Sequence, residues 1–188
     1  FKWGKCKLAT TSYGHGITTT PLQLAKAYAI LGNGGYKITP SILKKSKKLK
    51  KREQIISEKT RNAINSMLRK VVSLDEGTAN FANVEGYEVG GKTGTALKYN
   101  SKAKLNTFVS LFPASKPKYV LLVKLDEPKP APSFVYEFPP SEKFPNGYKY
   151  KGEKRNTSGW NTVVVAGKII EKIGPILAIN NLQASNNF

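Results

Sequence analysis

Apolar residues recur at helical spacing in the stretch "TTTPLQLAKAYAILGNGG" near the start of the chain. Thr20 can cap a helix there, Pro21 suits the first helical position, and Gln23 completes a capping box. Gly32 or Gly34 can end the helix. We therefore predict a helix that packs inward through one apolar face. The face consists of Leu22, Leu24, Ala25, Tyr28, Ala29 and Leu31.

Two later stretches also show helical spacing. The first runs from a Ser57 cap to about Val72, and the second from about Thr162 to Ile179. Gly174-Pro175 should kink or interrupt the second helix, because proline removes a backbone donor. The first helix is expected to bury Ile64, Met67, Leu68 and Val71. The second is expected to be lined by Val165, Ile169, Ile173 and Ile176 or Leu177.

Between these helices the apolar period changes to two, which is typical of strands. One candidate strand covers residues 87–95 and places Tyr87, Val89, Gly91, Thr93 and Thr95 on one face. Two more follow, "LNTFVSLF" from Leu105 and "KYVLLVKLD" from Lys118, joined by the turn-like "PASKP". Residues 127–157 are rich in Pro, Tyr and Lys and are interpreted as a long irregular excursion. The pattern predicts an α+β fold with helices packed on a largely antiparallel sheet.

The charge balance is strongly basic. The 188 residues hold 31 Lys and Arg against 12 Asp and Glu, a net charge of +19. Nucleic acid, an acidic membrane face and an anionic wall polymer would all attract such a chain, and a lysine-biased genome would give the same count. The run "KKSKKLKKR" at 44–52 has no interleaved aromatic to stack a base, so it is interpreted as a solvated loop. No nucleic-acid-binding motif is present, and no nucleic-acid partner is predicted.

Few residues of the chain suit metal or redox chemistry. Cys6 is the single cysteine, which excludes an internal disulfide, and its thiol is expected to be unreactive. His15 is the single histidine and lies between two glycines, as expected for a turn near a cleft. We therefore expect no metal site and no cofactor. No apolar run approaches the roughly 20 residues of a membrane span. The chain starts at Phe1, so we interpret it as a piece of a longer protein.

Residues 86–93 match two catalytic signatures that exclude one another. Gly86–Thr93 is a formal G-x-x-x-x-G-K-[ST] phosphate loop, whereas Lys92-Thr93-Gly94 is a K-T-G box. A phosphate loop needs a buried strand before it and a helix that begins at the Lys-Thr pair. The preceding "ANFANVE" is too polar for that strand, and Gly94 and Thr95 disfavour a helix start. In favour of nucleotide binding, "VLLVKLD" resembles a strand that ends in a magnesium-binding Asp.

The K-T-G interpretation needs only an extended segment. On a strand, Lys92 points to one face while Thr93 and Thr95 share the other. Gly94 has no side chain, so the backbone of a bound peptide can come close enough to pair with the strand. Threonine hydroxyls can receive a peptide's terminal carboxylate, and a strand amide can stabilise an oxyanion. The tripeptide alone is a weak signal.

Four segments occur together in one order and strengthen the K-T-G interpretation. They are "SYGHGITTTPLQLAKAYAILGNGG", "GGKTGTA", "FVSLFPASKPKYVLLVKLDEP" and "SGWNTVVVAGKIIEKI". Together they closely resemble the C-terminal half of the transpeptidase domain of class B penicillin-binding proteins, above all the septal division type, over nearly the whole chain. The resemblance implies peptidoglycan cross-linking by acyl transfer through a serine. It implies catalytic roles for Lys92 and Thr95, with Thr93, Gly94 and Thr95 binding a D-Ala-D-Ala donor or a β-lactam.

The resemblance also implies residues that the chain does not supply. The family's nucleophile opens an S-x-x-K box at a helix start, and an S-x-N box follows it. Strings of the first type occur at 41–44, 101–104 and 115–118, and "SNN" occurs at 185–187, but all lie outside the family's order. We therefore expect residues 1–188 to be a C-terminal part of the domain, without the nucleophile and inactive alone. The intact protein is expected to be periplasmic, anchored by an N-terminal segment, with division proteins as partners. Self-association of the fragment is also expected.

Overall fold

A computed structural model describes residues 4–43 and 53–186, with side chains through residue 180. The helices are α1 (Lys7–Thr11), α2 (Pro21–Gly32), α3 (Glu58–Ser73) and α4 (Thr162–Asn186). The strands are β1 (Gly90–Leu97), β2 (Lys104–Phe112), β3 (Tyr119–Asp126), β4 (Ala131–Phe138) and β5 (Tyr148–Gly152). Short 3-10 turns occur at Asn80–Ala82 and Ser158–Trp160.

The central sheet has the strand order β1-β2-β3, and both strand pairs are antiparallel. Thr93 on β1 faces Phe108 on β2, and Phe108 in turn faces Val123 on β3. The described strands leave β1 and β3 as the two edges of this sheet. Helices cover both faces of the sheet, so the α+β prediction is confirmed.

Each face of the sheet packs on different helices. Phe108, Phe112 and Val123 are buried on one face against α4. Leu111 is buried on the opposite face against Leu68 of α3, with partly buried residues of α2 beside it. Since neighbouring residues of a strand point to opposite faces, this arrangement fixes where each residue of β1 points. The residues that α4 contributes are Val163, Ala166 and Ile170.

The predicted start of α2 is confirmed. The Thr20 hydroxyl accepts from the Gln23 amide at 3.1 Å, and Gln23 Oε1 accepts from the Thr20 amide at 2.8 Å, which closes the capping box. Ile30 is the buried residue of this helix, whereas Leu22 is 62% exposed. The predicted apolar face was therefore wrong at Leu22. Half-buried Tyr28 belongs to the contact with the sheet, and burial raises its pKa to about 12.

The Ser57 cap of α3 is also confirmed, since its hydroxyl accepts from the Thr60 amide at 3.2 Å. The residues that α3 buries are Asn65, Leu68 and Val72, while Met67 is 56% exposed. The prediction that Met67 is buried was wrong. The buried residues of α3 follow Asn65 at intervals of three and four positions, and Met67 does not belong to that series.

The candidate strand at 87–95 begins later than its pattern predicted. Glu88 has φ of +45°, a conformation incompatible with a regular strand, and β1 starts at Gly90. The Glu88 carboxylate accepts hydrogen bonds from the hydroxyl and the amide of Ser115, which lower its pKa. Tyr87 lies before the strand and packs against Gly174 of α4. The strand predictions from Leu105 and Lys118 are confirmed within one residue.

Residues 127–157 are not an irregular excursion, and this prediction was wrong. They contain β4 and β5, which pair antiparallel. Phe138 faces Tyr148 across the pair, with the two rings stacked at 4.3 Å between centroids. Aromatic cross-strand pairs stabilise such a hairpin even where proline and lysine are frequent.

The last helix runs from Thr162 through Pro175 to Asn186, so the predicted interruption was wrong, while the alternative of a kink at Gly174-Pro175 stays a prediction. Pro175 has no N–H to donate to the Glu171 carbonyl, four residues earlier in the helix. Glu171 is exposed, so water can donate to that carbonyl instead. The predicted apolar side is confirmed in part. Ile169 and Leu177 pack on the core. The prediction was wrong at Val165, which is exposed, and it missed the buried residues Val163, Ala166 and Ile170. The predicted basic loop 44–52 and the end of "SNN" lie outside the described residues.

Candidate functional site

The K-T-G box lies within β1, an edge strand of the sheet. Lys92 and Thr93 are both inside the strand, paired with Val109 and Phe108 of β2. No helix begins at this point, and the chain remains extended to Leu97. A phosphate loop would require a helix to start at Lys92-Thr93, so the phosphate-loop interpretation of Gly86–Thr93 is not supported.

Thr95 is held by a loop from the other end of the chain. The amide of Ser158 donates to Thr95 Oγ1 at 3.0 Å. Ser158 is itself buried, and its hydroxyl donates to the Thr107 carbonyl at 2.7 Å. The hydroxyls of Ser158 and Thr162 also lie 2.6 Å apart. Since the Thr95 hydroxyl oxygen already accepts a hydrogen bond, its own hydrogen is left to donate to a ligand.

Thr93 contacts a second loop, which follows α3. Its hydroxyl oxygen lies 3.1 Å from that of Thr78, so one of the two donates to the other. Thr93 and Thr95 together line a pocket of about 460 Å³ whose walls are completed by Thr78, Ser158 and other residues of the two loops. This volume lies within the range of small-ligand sites. The two threonines that sequence analysis selected are therefore brought together on one pocket wall.

Lys92 points to the opposite face of β1 from the two threonines. Its Nζ donates to the Thr93 carbonyl at 2.9 Å, and its side chain is exposed. Among the described residues no carboxylate forms an ion pair with Lys92. The cation is therefore available to a group that approaches this edge of the sheet.

Two glycines of β1 differ in the space around them. A Cβ at Gly91 would lie 2.6 Å from Phe108 Cζ and 2.7 Å from the Val109 carbonyl oxygen, so this glycine is required by packing. A Cβ at Gly94 would meet nothing closer than the Thr107 carbonyl oxygen at 3.9 Å. The space above Gly94 is thus open, and another chain can approach the backbone there.

The hairpin β4-β5 completes the pocket on the side of the 3-10 turn Ser158–Trp160. Phe138, Tyr148 and Tyr150 line the pocket beside Trp160. The Tyr136 hydroxyl donates to the Trp160 carbonyl, and burial raises the pKa of Tyr136. The structure therefore positions an aromatic wall next to the threonines of β1.

Ser101 and Ser115, which begin two of the S-x-x-K strings, lie in turns. Residues 101–104 connect β1 to β2, and residues 115–118 connect β2 to β3. Ser115 is bonded to Glu88, as described above. Ser41 follows the end of α2 by several residues, and its partner Lys44 lies outside the described residues. None of these serines begins a helix in the part of the chain that the structure describes.

His15 lies in an exposed turn after α1, with its ring 5.1 Å from that of Tyr13, and Cys6 is exposed. Within residues 4–43 and 53–186, no group of three or more acidic, Cys or His side chains could hold a metal ion. Over the same ranges, no helix is long and apolar enough to cross a membrane.

Sequence analysis missed the partners of the two threonines. Thr78 lies 15 positions before Thr93, and Ser158 lies 63 positions after Thr95. Ser158 begins one of the four segments that carried the resemblance, but nothing in its local pattern identified the residue that it contacts.

Comparison with known proteins agrees with this geometry. Residues 2–137 match the family model of the penicillin binding protein transpeptidase domain. The probable peptidoglycan D,D-transpeptidase FtsI of Caulobacter vibrioides is 33% identical over 193 residues, which cover 95% of this chain and 29% of the relative. Stage V sporulation protein D of Bacillus subtilis is 39% identical over 142 residues, covering 67% of this chain and 22% of the relative.

A solved structure of a transpeptidase domain is also similar to this chain. The transpeptidase domain of penicillin-binding protein 3 from Burkholderia pseudomallei superposes with a TM-score of 0.62 and 36% identity, covering 67% of this chain and 40% of that one. The chain thus spans less than a third of the length of the two curated relatives. These findings give no support to the nucleotide-binding or nucleic-acid-binding alternatives. The chain belongs to the penicillin-binding protein transpeptidase domain family.

Proposed function

We propose that β1 receives the C-terminal end of a D-Ala-D-Ala peptide, or a β-lactam, in the acyl-transfer site of a peptidoglycan D,D-transpeptidase. The observation that carries this proposal is the hydrogen bond from the Ser158 amide to Thr95 Oγ1 at 3.0 Å. It occupies one lone pair of the hydroxyl oxygen, and the hydroxyl hydrogen can donate to an anion at the pocket that Thr93 also lines.

A peptide carboxylate fits these donors. Hydrogen bonds to a charged acceptor contribute about 1.5–3 kcal/mol each, more than bonds between neutral groups. The Thr93 and Thr95 hydroxyls are two residues apart on one face of an extended strand, so a single carboxylate can lie between them.

The backbone of β1 supplies the second part of the proposed site. β1 is an edge strand and the space above Gly94 is open, so an extended peptide can pair alongside it. The Thr95 amide is proposed as one donor of the oxyanion hole, a contribution of roughly 3 kcal/mol to the barrier. Lys92, whose exposed ammonium has no ion-pair partner among the described carboxylates, is proposed to orient the substrate and to relay protons.

The nucleophilic serine is proposed to lie outside residues 1–188. Ser101 and Ser115 lie in turns between strands, and an activated nucleophile needs an adjacent base or a lowered pKa. The whole-protein activity, a serine-type transpeptidase that cross-links peptidoglycan, is a proposal for the longer protein. That protein is proposed to act in the periplasm, held by an N-terminal membrane segment, with division proteins as partners.

Binding of N-acetyl-D-alanyl-D-alanine tests the proposed function. We would titrate the peptide into the isotopically labelled chain at about 150 mM salt, where attraction to the +19 charge is screened. The amide resonances of Thr93 and Thr95 should shift saturably. The same peptide with a C-terminal amide, which lacks the carboxylate, should give no such shift.

Variants assign the contact to the hydroxyls. Thr93→Val and Thr95→Val keep the side-chain shape and remove the donor, so each should weaken binding about tenfold. Thr19→Val makes the same change at an exposed residue in the turn before α2 and should leave binding unaltered. Equal binding of the acid and the amide, or unchanged affinity in both β1 variants, would contradict the proposed site.

A further inference from the structure

Arg155 lies against two aromatic rings in the wall of the pocket of Thr93 and Thr95. Its guanidinium carbon lies 4.6 Å from the centre of the Tyr150 ring and 4.7 Å from that of Trp160. A guanidinium attracted to aromatic faces can still donate to a ligand through the N–H groups at its edge. Arg155 is half-buried, and the same pocket wall includes both threonines.

The surroundings of Arg155 are fixed by contacts from several elements. The Trp160 carbonyl accepts the Tyr136 hydroxyl, and the two rings lie 4.8 Å apart in an edge arrangement. The Arg155 amide donates to the Gly152 carbonyl at 3.1 Å, and Asn156 Nδ2 donates to the Pro128 carbonyl at 2.6 Å. The guanidinium is therefore presented by a loop that is tied at several points, which reduces the entropy lost when a ligand binds.

No ion pair among the described residues neutralises the charge of Arg155. Asp75 lines the same pocket but does not come within the 4.0 Å of an ion pair with it. A half-buried cation without a paired carboxylate, next to two hydroxyl donors, suits an anionic group of a ligand.

We propose that Arg155 forms a second recognition subsite, for a side-chain carboxylate of the peptide whose C-terminus lies on β1. The subsite rests on the proposed function, since it takes a further group of the same peptide. Arg155 lies three residues after β5, so the subsite is a specificity feature contributed by the hairpin β4-β5 and the loop that follows it.

The peptide geometry is compatible with both contacts. An extended peptide advances about 3.3 Å per residue, so a side chain one or two residues before the terminal carboxylate lies a few ångströms further along the pocket. The pocket volume of about 460 Å³ leaves room for that side chain beside the terminal carboxylate. A fork of N–H groups can hold a carboxylate through two bonds, which lysine cannot do.

Two peptides that differ by one charge test the subsite. They are acetylated glutamyl-D-alanyl-D-alanine and its glutaminyl analogue. Affinity would be measured by fluorescence of Trp160 in a Trp3→Phe background, which leaves one tryptophan, at about 150 mM salt. The glutamyl peptide should bind about tenfold more tightly than the glutaminyl peptide, as expected for one charge-assisted contact.

Variants of the chain distinguish a specific contact with Arg155 from the general attraction of a basic chain for an anionic peptide. Arg155→Gln should abolish the preference for the glutamyl peptide and lower glutaminyl affinity by much less, because the glutaminyl peptide carries only its terminal carboxylate. Arg155→Lys should retain only a small part of the preference. Asp75→Asn removes a negative charge from the pocket and should tighten binding of the glutamyl peptide, which carries two carboxylates, more than that of the glutaminyl peptide, which carries one. Lys149→Gln is the matched control, because it removes the same charge from the hairpin at a lysine paired with Glu137 at 2.7 Å. It should change neither affinity.

The outcomes distinguish the two proposals. Equal affinity of the two peptides in the unaltered chain, with binding still weakened in Thr95→Val, would overturn the subsite and leave the proposed function intact. A preference that survives Arg155→Gln, or that falls equally in Lys149→Gln, would also overturn the subsite. Binding of neither peptide would contradict the proposed function and the subsite with it. If Arg155→Gln fails to fold, Arg155→Lys still decides, since it should lower the ratio of glutamyl to glutaminyl affinity.

Discussion

The amide of Ser158 donates a hydrogen bond to the hydroxyl oxygen of Thr95 at 3.0 Å, across 63 positions of the sequence. This contact joins the loop before α4 to the edge strand β1. It also holds the Thr95 hydroxyl in place through one of the two lone pairs of its oxygen, and the hydroxyl hydrogen can still donate to a ligand. The position of the loop is in turn fixed by the buried Ser158 side chain, which bonds to the Thr107 carbonyl and lies next to Thr162.

Replacement of Ser158 by alanine should destabilise the chain. The change leaves the Thr107 carbonyl and the buried Thr162 hydroxyl with fewer partners, which should lower the free energy of unfolding by about 1–3 kcal/mol. Urea denaturation would measure it. Ser12→Ala is the control, since its exposed hydroxyl bonds only within its own helix end, and it should cost less than about 0.5 kcal/mol. Equal stability of Ser158→Ala and Ser12→Ala would contradict this prediction.

The two glycines of β1 should respond differently to alanine. Gly91→Ala places a Cβ within 2.7 Å of Phe108 and of the Val109 carbonyl, so we expect a loss of about 1–3 kcal/mol in stability. Gly94→Ala has no neighbour closer than 3.9 Å and should leave stability within about 0.5 kcal/mol. Its effect should instead be on peptide binding, because the methyl group occupies the space above the strand.

Thermal denaturation and the titration with N-acetyl-D-alanyl-D-alanine would measure both effects of the glycine variants. A Gly94→Ala chain that is stable and binds the peptide with unchanged affinity would show that close approach to this strand is not needed.

The hydrogen bonds between Ser115 and Glu88 should make stability depend on acid pH. They lower the pKa of Glu88 in the folded chain, so their stabilisation is present above the ordinary glutamate pKa and is lost as pH falls through the lowered value. Ser115→Ala should therefore be less stable than the unaltered chain at pH 7, and the difference should shrink below about pH 4.

Melting temperatures of the two chains from pH 7 to pH 3 would measure the Ser115 effect. Glu88→Gln supplies the control, since its stability should show no such dependence on Ser115. If the melting temperatures of the unaltered chain and of Ser115→Ala differ by the same amount over this whole range, the Glu88 carboxylate is not involved.

Residues 1–188 should not be acylated by a β-lactam. Covalent catalysis needs an activated nucleophile in the site, and the proposed role of β1 is to receive the substrate. Fluorescent penicillin followed by a denaturing gel would show this as the absence of a labelled band. A stable band that unlabelled β-lactam removes by competition would place a nucleophile on this chain, and Ser101→Ala and Ser115→Ala would then test the two serines in turns.

The chain should self-associate through β3, which is an edge strand of the described sheet. This strand, Tyr119–Asp126, is an edge of the described sheet and carries the apolar run "YVLLV", which is a template for another strand. The +19 charge opposes association, and salt screens it, so the mass should rise with protein concentration more strongly at high salt than at low salt.

Light scattering after size exclusion would measure the mass. Leu122→Lys places a second charge on the face that carries Val120 and Lys124, and it should reduce association. A monomer at high protein concentration and high salt would contradict this prediction.

Local chemistry made the helix starts predictable. Thr20, Gln23 and Ser57 satisfy the first amides of their helices within three residues, so the sequence alone identifies both caps. The buried residues of a helix are harder to predict than its cap, because burial depends on which other element packs against the helix. Met67 and Val165 fit an apolar stripe equally well in the sequence, but the sheet lies against Leu68 and Val163 instead.

The sequence of the hairpin β4-β5 contains a strand pattern, but that pattern was not enough to predict the hairpin. Phe134, Tyr136 and Phe138 alternate as a strand would, and Tyr148 and Tyr150 continue the pattern. The frequent prolines and lysines around them favour a loop. Docking of these rings on Phe81 and Trp160 supplies the stabilisation, and these contacts form only in the folded chain.

The sequence by itself determined the identity of the candidate site. The order of residues along an extended segment fixes that Thr93 and Thr95 share one face and that Lys92 takes the other, because alternation is a property of every strand. Only the tertiary structure decided what surrounds them: Thr78, Ser158 and Arg155 reach the same pocket from distant positions. Their positions depend on how the helices and the hairpin pack on the sheet, and packing is a property of the whole chain rather than of any short stretch.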